Sequence, residues 1–174
     1  RDESFKEGCL ACLQESRQYS ENNFDEDRKW SLEKKDRDDW TPQDADQLTL
    51  ITRRMWKLSV ILDTIVNEIK THPHYLVIDG KKVALKEFVG HDLGNYLITS
   101  LTTFVSEAKR NLSGGKSKKA FDKITIALNA WPRLSFILED IILRYLDPLK
   151  IDSTQFRAFN FNHAKLSLDN LTDR

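Results

Sequence analysis

Glycine and proline are scarce in this chain, six and four of 174 residues, which disfavours an all-β architecture with its many tight turns. Cysteine is scarcer still. Cys9 and Cys12 alone cannot build a disulfide framework, so a reducing, intracellular setting, nuclear or cytoplasmic, is expected. No stretch approaches the ~18 consecutive apolar residues that a membrane span needs. Net charge is also missing, with 27 basic against 27 acidic side chains, but the zero hides a split. Residues 1–48 carry 8 basic and 14 acidic groups, a balance of −6, and the remainder carries +6. Such an asymmetry suits an acidic arm, an interface, or an arm packed on its own domain. The chain opens on Arg1 rather than Met and is read as a fragment of a larger intracellular protein.

What is present is leucine and isoleucine set among lysine, glutamate, aspartate and glutamine, a mixture that leans helical. Residues 3–20 place Phe5, Cys9, Cys12, Leu13 and Ser16 at three-and-four spacing and predict an amphipathic helix. Thr41-Pro42-Gln43-Asp44 has the form of a capping box with proline at the first helical position. The helix it opens, 42–71, carries Leu48, Ile51, Met55, Leu58, Leu62, Ile65 and Ile69 in alternating steps of three and four. Trp56, Val60, Ile61 and Val66 widen that stripe, so the helix is expected at the centre of a bundle. Beyond Pro73, Asp79-Gly80 marks a two-residue hairpin turn that pairs Leu76 and Ile78 with Val83 and Leu85 on one face. Helical patterns resume over 91–112 and 117–147, the second interrupted by Pro132, which predicts a kink or two successive helices.

The fold expected is all-α: a single-domain bundle of five or six helices with a small β-hairpin inserted near 75–86. Its parts are an N-terminal helix (1–20), a charged linker or lid (21–41), a helical core (42–150) and a C-terminal docking segment and tail (151–174), all in one domain.

Chemistry is harder to find. Gly115-Lys116-Ser117 ends like a phosphate-binding loop, but position 110, where that motif needs its first glycine, is arginine, and no strand precedes it. The glycines fit a helix stop better, with Ser113 or Ser117 opening the next helix. Cys9-x-x-Cys12 has no second ligand pair for zinc and reads as packing. Arg157 and His163 have the separation found in helical ribonucleases of the HEPN type. That resemblance stops at two residues, with Ala158 where such motifs carry a polar side chain, and the pair is read as a chance match. No catalytic, cofactor or metal site is expected.

Binding is the better-supported theme. Lys109, Arg110, Lys116, Lys118, Lys119 and Lys123, against Asp122, give the loop 109–123 a balance of +5. Arg53, Arg54 and Lys57 form a second cluster, and Lys81 and Lys82 a third at the hairpin tip. Trp30 and Trp40 stand in the charged segment with little apolar company, poised to staple it to the body or to meet a partner. The function expected is a non-catalytic protein–protein interaction module, with another protein as partner. The alternative is a helical domain that binds RNA or DNA through the basic loop, and it gains if the three basic clusters share one face.

Overall fold

A computed structural model of the chain describes residues 2–89 and 92–146. The expected C-terminal docking segment, with Arg157 and His163, lies outside the described residues. The rest is a helical bundle. Six helices and one hairpin follow in order: α1 (Asp2–Asn22), α2 (Phe24–Lys34), α3 (Pro42–Thr71), β1 (Tyr75–Ile78), β2 (Lys81–Ala84), α4 (Leu85–Val89), α5 (Asp92–Ser113) and α6 (Ser117–Leu146).

The bundle is organised by α3. Its capping box is complete: the Asp44 amide donates to Thr41 Oγ1 at 3.2 Å, and the Thr41 amide donates to Asp44 Oδ2 at 3.0 Å. Proline at the first position loses nothing, because its N–H would have no intrahelical acceptor. All seven residues of the alternating stripe, Leu48 through Ile69, are buried, and Val66 with them. Trp56 and Ile61 are half-buried. Val60 departs from expectation: it is 44% exposed, on the side of α3 away from the core.

Contacts along α3 fix the directions of its neighbours. Phe5 stacks on His74 at 3.9 Å, a Cβ on Gly8 would lie 3.4 Å from Ile65, and Glu15 pairs with Lys57. Asp27 then meets Arg54, and Lys34 meets Asp44. As the numbers rise along α1 and α2, they fall along α3. α1 therefore runs antiparallel along α3, while α2, after the break at Asn23, lies against α6 and reaches α3 through the ion pairs of Asp27 and Lys34.

The segment 21–41, expected as a charged linker or lid, partly helical and pinned by its tryptophans, is packed rather than solvated. Most of that segment is α2, and its buried residues are Phe24, Asp27, Ser31 and Lys34. They step three, four, three, the spacing of a packed helical face, but three of the four are polar. Each polar one is satisfied. Asp27 accepts from Tyr19 Oη at 3.0 Å and from Arg54 at 2.8 Å, Ser31 shares a hydrogen bond with Thr125 at 3.1 Å, and Lys34 reaches Asp44 at 2.6 Å and the Asp39 carbonyl.

At the far end, β1 and β2 pair antiparallel in the expected register, Leu76 opposite Val83 and Ile78 opposite Lys81. Asp79 and Gly80 both take positive φ, 52° and 77°, the type I′ geometry that matches strand twist. α5 and α6 form an antiparallel helical hairpin, bridged by Lys123 and Glu107 at 2.9 Å. Pro132 does not divide α6, which runs unbroken through it with the proline at the surface, where a missing backbone bond is cheapest. Trp131 is buried beside it, edge-on to Tyr19 with centroids 5.4 Å apart, and donates through Nε1 to Ser20 Oγ at 3.0 Å.

Two stability tests follow. Arg54→Met strands a carboxylate whose side chain is 1% exposed, and chemical denaturation should show a loss of about 3 kcal/mol, recovered in large part when Asp27 is also made leucine. The hydrogen bond from Lys34 and those from Thr41 hold the Asp44 carboxyl at about 2, against an ordinary 3.8. Its stabilising contribution is therefore present in full above the ordinary value and is lost as pH falls through about 2. NMR titration of Asp44 should show that depressed midpoint, and Thr41→Ala should raise it while costing about 1 kcal/mol of stability.

Candidate interaction surface

The basic loop is built as a helix stop. Gly115 adopts φ 74°, the Lys116 amide donates to the Asn111 carbonyl at 2.8 Å, and the Gly115 amide donates to the Leu112 carbonyl at 3.1 Å. Those two bonds make a Schellman motif, whose left-handed residue glycine fills without steric cost. The Lys116 carbonyl accepts the first bond of α6, so of the two serines expected to open the helix it is Ser117 that does.

The cations singled out in the sequence go to different places. Arg54 is committed to Asp27, Lys57 to Glu15 at 3.2 Å, Lys118 to Asp38 at 3.5 Å and Lys123 to Glu107. The first three pair an acid of residues 1–48 with a base of the remainder, so part of the charge split is discharged inside the fold. Arg110, Lys119 and Lys123 line a cleft of about 470 Å³ between α5 and α6, but Glu107 and Asp122 line it too, so its field is mixed. Lys116 is exposed at the loop. Trp30 and Trp40 come together on Phe121, edge-on at 5.7 and 5.5 Å, and so pin α2 and the α2–α3 connection to α6.

The three basic clusters do not share a face. Lys118 reaches Asp38, just ahead of α3, whereas the hairpin bearing Lys81 and Lys82 follows the last residue of α3. A helix of 30 residues separates them, about 45 Å at 1.5 Å per residue.

One surface escaped the sequence reading. The residues of α3 opposite its core stripe include Leu50, Arg53, Lys57 and Val60, again stepping three and four, and all four are exposed. Leu50 is 41% exposed, like Val60 an aliphatic side chain left in water. Trp56 lies beside this stripe towards α5, with Lys109 Nζ 4.0 Å from its ring centroid. That cation–π contact brings a lysine of the basic loop segment to the α3 cluster. Arg53, one turn before Trp56, has no ion pair among the described residues. Over 47–62 the chain holds Arg53, Arg54 and Lys57 and no acid, a signal readable from the sequence. It was masked because Trp56 and Val60 had been assigned to the core.

The cysteines offer no competing chemistry. Both are buried, and burial pushes the thiols up to about 12 for Cys9, aided by Cys12, and about 11 for Cys12. No group of three or more histidine, cysteine or acidic side chains suited to a metal ion occurs among the described residues. None of their helices is long and apolar enough to cross a membrane. Compared with known proteins, the chain matches no family model, no curated protein and no solved structure.

Protonated, enclosed thiols react slowly. In native buffer at neutral pH a disulfide-exchange reagent should therefore titrate neither Cys9 nor Cys12, and denaturant should release both. Prompt labelling of the folded chain would contradict their burial.

Proposed function

We propose that this chain is a non-catalytic protein–protein interaction module whose partner docks along the outward stripe of α3 and the adjoining edge of α5. The observation that carries the reading is the pair Leu50 and Val60, held exposed on a helix whose opposite side is the centre of the core. Exposed aliphatic groups flanking an arginine, with a tryptophan alongside, match the composition of interface hot spots. A rigid helix face also limits the entropy lost on docking. Two free, buried thiols suit a reducing, intracellular setting.

Nucleic-acid binding is the weaker reading. It rests on the loop 109–123 alone, since the hairpin cations lie a helix length away and several loop and α3 cations are already paired. An extended phosphate backbone would need a continuous cationic track.

The module reading is tested with Leu50→Asp and Val60→Asp, both surface changes that should leave the denaturation midpoint within about 0.5 kcal/mol of the parent. Quantitative affinity capture and cross-linking should find a saturable protein partner whose affinity falls about tenfold or more in each variant, the equivalent of ~1.4 kcal/mol. A saturable partner indifferent to both substitutions would move the interface elsewhere. The absence of any saturable partner would end the reading.

A further inference from the structure

Resting on the interaction-module reading, we propose that the partner presents an acidic amphipathic segment, with central carboxylates flanked by apolar side chains over about three helical turns. The surface dictates this by charge complementarity. From Leu50 to Val60 the stripe covers ten residue steps, about 15 Å of helix, and sets two cationic groups between two aliphatic ends. Arg53 offers a planar fork of donors with no ion pair among the described residues, the geometry that takes a carboxylate bidentately. Lys57 keeps much of its side chain exposed, 64%, beyond its contact with Glu15. Lys109 adds a third cation from α5 and is held only against the Trp56 ring among its described contacts.

Each end of the stripe sets a limit. Asp46 and Asp63 are exposed and bracket the acid-free run, so they repel an anionic partner that extends past it. A short acidic peptide segment stops between them. A phosphodiester backbone or an anionic bilayer continues past both, and neither supplies apolar groups spaced to meet Leu50 and Val60 on either side of the charges. Side chains on a docked helix recur every three or four residues, about 5–6 Å apart, and meet this spacing directly. A carboxylate arriving at Lys109 competes with the indole for the ammonium, so docking draws the lysine from Trp56 and changes the environment of that ring.

The test uses the whole chain and a displayed random library of peptides about 16 residues long, enough for four helical turns. Enriched peptides should be acidic and amphipathic and should lose affinity as salt rises. They should bind Arg53→Glu about tenfold or more weakly, with the variant's denaturation midpoint unchanged. In protein labelled with 5-fluorotryptophan they should shift the fluorine resonance assigned to Trp56 through Trp56→Phe, and leave that of buried Trp131 in place.

Peptides that need Leu50 and Val60 but are neutral or basic, and ignore Arg53→Glu, would overturn the acidic-partner inference while leaving the interaction module intact. Failure to enrich any peptide that depends on Leu50 or Val60 would overturn both. Tighter Arg53-dependent binding of duplex or single-stranded nucleic acid, or of vesicles containing phosphatidylserine, would likewise overturn it and assign the face to that class.

Discussion

A carboxylate with no exposure to water cannot be left charged without compensation, and Asp27 is such a group. Burial drives its pKa upward, while the Tyr19 hydroxyl and the Arg54 guanidinium oppose that drift, each by a direct hydrogen bond. The three residues come from α2, α1 and α3. Their meeting ties α2 to both α1 and α3 at one point. Well-packed apolar groups would hold the helices together about as well, but removing one partner alone leaves a buried charge uncompensated. The triad therefore penalises any arrangement in which Asp27 is buried without Arg54.

The same feature explains what the sequence did and did not disclose. α3 was legible at both levels, its start from the Thr41–Asp44 box and its buried face from seven aliphatic or sulfur-bearing residues in strict alternation. The hairpin register was legible because Asp79-Gly80 leaves only one turn length. α2 was not, although Phe24, Asp27, Ser31 and Lys34 keep the spacing of a packed face, because periodicity is sought in apolar residues and three of these are polar. Their partners, Arg54, Thr125 and Asp44, are distant in sequence or hidden in a cap. Pro132 left a kink and two successive helices both open, and α6 is one helix: the breaker is tolerated where it faces solvent and its neighbour Trp131 is locked in the core.

Charge followed a similar course. The opposite sums over residues 1–48 and the remainder left an acidic arm, an interface and an arm packed on its own domain all open, and Asp27, Glu15 and Asp38 meet Arg54, Lys57 and Lys118 within the fold. Among these, the exposed pairs add little stability on their own. Their consequence is subtraction. Once the committed cations are removed from the basic clusters, Arg53 and Lys109 remain closest to the outward stripe of α3, and neither had stood out from its neighbours by sequence alone.

What makes that stripe suited to recognition is the way α3 is held. Its first turn is capped by Thr41 and Asp44, with Lys34 tied to the same carboxylate. Its last turn is tied down by Glu68, which lies 2.9 Å from His72 and 3.3 Å from buried His74, itself stacked on Phe5. α1 covers one flank and α5 another, so the backbone of this face is held by packing on both sides. Leu50, Arg53, Lys57 and Val60 are displayed at preformed backbone positions, and docking has only their side-chain rotamers left to order. Selectivity on such a face comes from matching the order of apolar and charged groups it already presents.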